Sequence, residues 1–194
     1  RMVYKRRFNT LAEVFEYSTS TYATNQVSSF VDGEQSYTYA QFRDRCEHLS
    51  RLLSTFGIGA YDKVAILSEN MPNWAVAFFS LTAYGRIAVP MLQELSSNEV
   101  TNIINHSESK AIFVSRKQLG KLDETIVEKL NLVIDIETFE FIKVKDTSYT
   151  CDGRVTIPTP LDTAAIIYTS GTTGNAKGVM LCHRNFCANI LEAW

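Results

Sequence analysis

The sequence has four cysteines but no C-x-x-C pair, and it has no apolar run long enough to cross a bilayer, no low-complexity segment, no internal repeat and no large block of like charge. Each absence removes a class of protein. Without a secretory signal, Cys46, Cys151, Cys182 and Cys187 read as reduced thiols and not as a disulfide framework. Cys182, His183 and Cys187 supply three soft ligands, but their spacing matches no standard zinc pattern, so no metal site is expected. The longest apolar-rich stretch, Trp74 to Tyr84, is interrupted by Ser80 and Thr82 and is too short for a membrane span. Arg1 to Phe8 leads into a mixed amphipathic segment instead of the apolar centre of a signal peptide, which points to a cytoplasmic protein. Acidic and basic residues are interspersed and the net charge is −2, so no nucleic-acid partner is expected. The one basic cluster, Lys5-Arg6-Arg7, reads as a solvated arm, with peripheral contact to an anionic membrane surface as the alternative.

What remains is a chain of one-domain size, 194 residues with 45% hydrophobic content, in which strands and helices alternate. Asn9 or Thr10 caps a helix with Leu11, Val14, Phe15 and Tyr22 at helical spacing. Phe30-Val31 and Ser36 to Tyr39, joined through Asp32-Gly33, read as a short hairpin. Thr38-x-x-Gln41 is a capping box for a helix with an apolar stripe of Phe42, Cys46, Leu49, Leu53 and Phe56 that stops at Gly57; His48 falls off that stripe. Val64 to Leu67 reads as a buried strand, Pro72 to Tyr84 as a helix closed by Gly85, and Ile87-Ala88-Val89 as a strand stopped by Pro90. Ser96-x-x-Glu99 opens a helix to about His106, which is read as a partner for the helix C-terminal dipole. Ala111 to Val114, a helical stretch near Leu122 to Leu130, and Leu132-Val133-Ile134 continue the alternation, whereas Phe139 to Arg154 loses periodicity and reads as irregular. A last helical pattern begins at Asn185 and is cut off at Trp194, and position 1 is not Met, so the chain is expected to be a piece of a longer enzyme. Repeated βα units with wholly apolar strands predict an α/β fold, a doubly wound, mostly parallel sheet with helices on both faces.

The most distinctive stretch is Tyr168-Thr169-Ser170-Gly171-Thr172-Thr173-Gly174-Asn175-Ala176-Lys177-Gly178-Val179. Glycines let the backbone approach an anion, hydroxyls add short donors, and a lysine supplies a point charge. A P-loop of the G-x-x-x-x-G-K-[ST] kind fits poorly, because Ala176 takes the place of the second glycine, Gly178 that of the magnesium-binding hydroxyl, and an apolar run follows in place of a helix. Ala164 to Tyr168 and Val179 to Leu181 are therefore read as the arms of a β-hairpin with this loop as its tip, at the carboxyl edge of the sheet where doubly wound folds bind ligands. Asp162-Thr163 before it reads as a turn.

This stretch resembles the signature phosphate loop of the adenylate-forming superfamily, which includes acyl-CoA synthetases, luciferases and the adenylation domains of peptide synthetases. Ala176 stands where the family usually has proline. Ser36-Tyr37-Thr38-Tyr39, Asn70 to Trp74, and Ala83 to Pro90 look like further landmarks in the right order, and Ser107 to Ser115 with Asn175 to Phe186 look most like long-chain fatty-acid CoA ligases, although Cys182 replaces the commoner Ser or Thr. The resemblance implies that the parent enzyme converts a fatty acid and ATP, with Mg2+, to acyl-AMP and then, with coenzyme A, to acyl-CoA. It implies that Thr169, Ser170, Thr172 and Thr173 donate to the β- and γ-phosphates beside the backbone of Gly171 and Gly174, with Lys177 adding charge. It also implies that residues 1–194 are the N-terminal part of a large N-terminal domain. The adenine site, magnesium site, ribose-binding aspartate, hinge, catalytic lysine and most of the acyl tunnel would then lie outside the chain, leaving no complete catalytic set and an inert fragment. An amino-acid or aryl carboxylate is the alternative substrate, and a P-loop ATPase or a non-catalytic interaction module are the alternatives of other classes.

Overall fold

The computed structural model describes residues 7–25, 37–145, 156–169 and 176–192. Among them, six α-helices and seven strands alternate: α1 (Leu11–Thr21), α2 (Tyr39–Thr55), β1 (Lys63–Leu67), α3 (Pro72–Thr82), β2 (Ile87–Met91), α4 (Ser97–Ser107), β3 (Ala111–Val114), α5 (Glu124–Lys129), β4 (Leu132–Asp135), β5 (Phe141–Val144), β6 (Thr163–Thr169), β7 (Lys177–Cys182) and α6 (His183–Glu192). The strands form one sheet in the order β5-β4-β3-β1-β2-β6-β7, parallel throughout its centre and antiparallel at its two outer pairs, β4–β5 and β6–β7.

The helix starts follow from local chemistry. Thr10 Oγ1 accepts from Glu13 N at the head of α1. Both capping boxes close: Gln41 N donates to Thr38 Oγ1 at 3.2 Å and Thr38 N to Gln41 Oε1 at 3.0 Å, and Ser96 with Glu99 repeat the pattern. Pro72 occupies the first turn of α3, where its missing N–H breaks no helical bond. Gly57 (φ 79°) and Gly85 (φ 83°) supply the left-handed turns that follow α2 and α3.

The β1, β3 and β4 strands are buried on both faces, as parallel strands covered by helices must be. Alternate strand residues feed two cores. Val64, Ile66, Phe113 and Ile134 pack with α1, α2 and α3 residues such as Phe15, Leu53 and Val76. Ala65, Leu67, Ile112, Val114 and Val133 pack with Val100, Ile103 and Ile104 of α4 and Ile126 of α5. This is the expected doubly wound α/β sheet with helices on both faces, and Cys46 lies fully buried in the first core while His48 is exposed.

Several boundaries differ from the sequence reading. Strand β2 runs through Pro90 to Met91 instead of stopping before it. Proline has no N–H, so its pairing with Ile66 runs through the groups of Ile66 and leaves the Pro90 nitrogen facing β6, which meets β2 at Ala88 alone. Phe141 to Val144, inside the stretch read as irregular, is an edge strand on β4. Its burial alternates, Ile142 and Val144 lying exposed and Phe141 turning inward to meet Phe56 edge-on at 5.0 Å, but F-I-K-V carries no matching alternation of polarity. The helical stretch before β4 is a 3-10 turn at Leu119–Lys121 followed by the short α5. Tyr39, read as the end of a hairpin, is the first residue of α2 and Thr38 is its N-cap, while Phe30 to Ser36 of that hairpin lie outside the described residues. The last helix starts at His183, two residues before the expected Asn185. None of the described helices is long and apolar enough to cross a membrane.

Candidate functional site

The order of the strands creates the site. From β1 the chain turns to α3 on one face of the sheet, and from β2 it turns to α4 on the other. Their carboxyl ends therefore splay apart, the geometry that opens a ligand crevice in doubly wound sheets. A cleft of about 620 Å³ occupies this place, bounded by Ser68 and Asn70 after β1, Trp74 of α3, Pro90 to Glu94 at the end of β2, and Ile167-Tyr168-Thr169 at the end of β6. A larger cleft of about 890 Å³ lies along α1, between Glu13, Glu16, Arg43 and Tyr84. Arg43 there is engaged with Glu16 and Glu47 at 3.0 Å, and the cleft is lined by no strand end. We place the functional site at the smaller cleft, because only there do the roots of the Ser/Thr/Gly loop meet the crevice.

Those roots are an antiparallel hairpin. Thr169 pairs with Lys177, Tyr168 with Gly178, Ile167 with Val179 and Ile166 with Met180. Thr169 and Lys177 are both exposed and stand opposite one another, whereas Ser170, Gly171, Thr172, Thr173 and Gly174 lie outside the described residues. The residues after Lys177 are strand and not helix, which removes the P-loop reading.

Two contacts at the roots escape the sequence. The Tyr168 ring packs against the bare Cα of Gly178: a Cβ there would stand 3.0 Å from Tyr168 Cζ and 2.7 Å from Ile166 Cγ2. The Tyr168 hydroxyl then meets His106 Nδ1 at 2.8 Å, with the rings edge-on at 87°. His106 sits in the last turn of α4, where the dipole reading places it, and its ring reaches the end of β6. Burial raises the Tyr168 phenol above its ordinary value, so it stays protonated near neutrality. A signal in the sequence existed only in part, since the two residues are 62 apart and share no motif.

The base of the hairpin is tied to the N-terminal helix. His183, at the start of α6, is fully buried and its Nδ1 accepts a 3.1 Å bond from Leu11 N, an otherwise uncapped donor at the start of α1. The proton therefore resides on Nε2, which has no partner among the described residues. Burial lowers the His183 pKa, opposed in part by the Asp162 carboxylate. This bond uses the nitrogen that a metal would need, and the described residues contain no group of three His, Cys, Asp or Glu placed to hold one. Cys46, Cys182 and Cys187 are free thiols; burial pushes Cys187 up to about 11, which makes it a poor nucleophile, and Cys151 lies outside the described residues.

A doubly wound sheet whose last hairpin has its roots at Thr169 and Lys177, with β6 ending at the switch-point crevice, defines an α/β fold distinct from the P-loop class. The chain belongs to the family of AMP-binding enzymes, whose description matches residues 16–194. It is 29% identical over 213 residues to long chain acyl-CoA synthetase 7, peroxisomal, of Arabidopsis thaliana, covering 93% of this chain and 29% of that protein. Its fold matches the fatty acyl-adenylate ligase from L. pneumophila, solved with acyl adenylate and pyrophosphate, with a TM-score of 0.74 at 23% identity over 94% of this chain and 32% of that one. It equally matches the anthranilate CoA ligase AuaEII, solved with anthranoyl-AMP, with a TM-score of 0.76 at 17% identity over 92% of this chain and 34% of that one. The chain spans about a third of the length of the curated relatives it matches.

Proposed function

We propose that the protein of which residues 1–194 form the N-terminal part of the large domain activates a long-chain fatty acid, first as acyl-AMP with release of pyrophosphate and then as acyl-CoA. The observation that carries this reading is the Thr169–Lys177 hairpin root beside the switch-point cleft, in a chain of the adenylate-forming family whose curated relatives include acyl-CoA ligases. Exposed Val179 and Met180 on the edge strand β7, with exposed Leu161 and Ile157 in the segment before β6, support a larger domain that covers them.

In this reading the loop holds the polyphosphate. Thr169, Ser170, Thr172 and Thr173 donate through their hydroxyls, Gly171 and Gly174 through backbone N–H groups, and Lys177 supplies the full charge. At about 4 Å and an effective dielectric of ~20, one such charge contributes ~4 kcal/mol before desolvation and salt screening, as much as several neutral donors. ATP, the carboxylic acid and coenzyme A are substrates. In this reading the magnesium site and the remaining catalytic groups belong to the rest of the parent, and residues 1–194 are expected to be inert by themselves.

The test assays the full-length parent with ATP, coenzyme A and a panel of long-chain, aryl and amino-acid carboxylates, beside Lys177→Ala. The expected result is long-chain acyl-CoA formation and at least a tenfold fall in kcat/KM for ATP in the variant. Activity confined to aryl or amino acids would replace the substrate class, and equal activity of parent and variant would remove Lys177 from the site. The fold likeness to an anthranilate ligase keeps the aryl carboxylate as the second reading.

A further inference from the structure

We infer that His106 is a positioning residue for the phosphate loop, holding both of its roots through Tyr168. The inference rests on the loop function proposed above but uses contacts that lie outside the loop. Three observations converge on the Tyr168 ring. Its hydroxyl is hydrogen-bonded to His106 Nδ1 at 2.8 Å. Its face leaves no room for a Cβ on Gly178, the residue directly after Lys177 on the returning strand. Its neighbours Ile167 and Thr169 line the cleft on the outgoing strand, and so does Tyr168 itself.

The mechanics follow from these contacts. β7 is the outermost strand here, and β6 lies between it and β2, with its ladder pairing to β2 at Ala88–Ala165 and its pairing to β7 running to Thr169–Lys177. The Tyr168 hydroxyl adds a tie from this end of β6 to α4, beyond the backbone pairing with β7. His106 stands on α4, whose face is locked into the second core by Val100, Ile103 and Ile104. A hydrogen bond from a fixed helix to the penultimate residue of β6 therefore restrains Thr169, and through the Tyr168–Gly178 contact it restrains Lys177. Polyphosphate binding needs donors held to within fractions of an ångström, and this bond lowers the ordering cost of the loop roots.

The full-length parent is compared with His106→Ala, His106→Asn and Tyr168→Phe. Asparagine places an amide where Nδ1 stands and so can restore a bond to the phenol. The expected result is a three- to tenfold loss in kcat/KM for ATP in His106→Ala and Tyr168→Phe, the size of one neutral hydrogen bond. KM for the carboxylate and for coenzyme A stays unchanged, and His106→Asn recovers most of the loss. In parallel, amide hydrogen exchange speeds up in peptides spanning residues 166–179 of His106→Ala and nowhere else. This second readout needs no catalysis, so it judges the positioning role even if the parent shows no adenylation of any carboxylate, which would overturn the proposed function alone. Unchanged exchange at those residues, an equal loss for all three substrates, or no recovery in His106→Asn would overturn the inference.

Discussion

Replacing Gly178 with alanine tests whether the hairpin root is packed as tightly as the geometry states. Carbon atoms attract best at about 3.5–4.0 Å, and the new methyl would stand 2.7 Å from Ile166 Cγ2 and 3.0 Å from Tyr168 Cζ. Something must move by close to 1 Å. Ile166 is 6% exposed and β-branched, and Tyr168 is 8% exposed with its hydroxyl bonded to His106, so neither yields freely. Overpacking of this kind costs about 1–3 kcal/mol, and displacement of Tyr168 adds about 1 kcal/mol for the lost hydrogen bond. Alanine returns about 0.5 kcal/mol by restricting the unfolded chain. The net expectation is a destabilisation of about 1.5–3.5 kcal/mol, or a fall in Tm of roughly 3–14 °C for a protein of this size. Gly59→Ala serves as the control, because nothing lies within 4 Å of its added Cβ and its backbone is not left-handed; it should leave Tm unchanged or slightly raised. Thermal melts of the two variants beside the parent decide the matter. A Gly178→Ala protein as stable as Gly59→Ala would refute the packing account, and Gly178→Ala combined with Tyr168→Leu should recover part of the loss if the ring is the obstacle.

Two further outcomes follow from the buried polar groups. His183 has a folded pKa below its ordinary 6.5, so between the two values the unfolded chain binds more protons; its contribution to stability is complete above pH 6.5 and declines as pH falls below that value toward the folded pKa. Denaturant melts across pH 5 to 7 should show this slope in the parent and lose it in His183→Gln, and identical slopes would refute the buried-neutral assignment. Arg86 is 2% exposed and donates to Ile58 O, to Ser50 O and Oγ, to Ser54 Oγ and to Ser80 O, tying α2 to the approach to β2. Arg86→Leu should cost about 3–5 kcal/mol by stranding these acceptors, and Arg86→Lys should not restore the loss, because a point ammonium cannot span them; a variant melting within 2 °C of the parent would contradict this.

Much of this protein was legible in its residues, because the information was local. Two capping boxes, Pro72, the post-helix glycines at 57 and 85, and four-residue apolar strands each carry their own physical reason, and together they imply a doubly wound sheet. The family and the loop were legible for the same reason, since a run of hydroxyls, glycines and one lysine is a contiguous pattern. The edge strand at Phe141 to Val144 was not, because its partner β4 and not its own periodicity makes it a strand. Pro90 ended β2 on paper but not in space, because only the order of the sheet shows that its missing donor faces the side where β6 no longer pairs. The pairings of His106 with Tyr168 and of His183 with Leu11 span 62 and 172 residues. Hydrogen bonds of that separation depend on where helices dock, and docking follows from the summed burial of two cores on opposite faces of one sheet, which no local pattern encodes. The sequence by itself determined most of the elements and the family; the tertiary structure decided which crevice the ends of β6 border and which distant side chains meet them, because both depend on how helices dock on the two faces of the sheet.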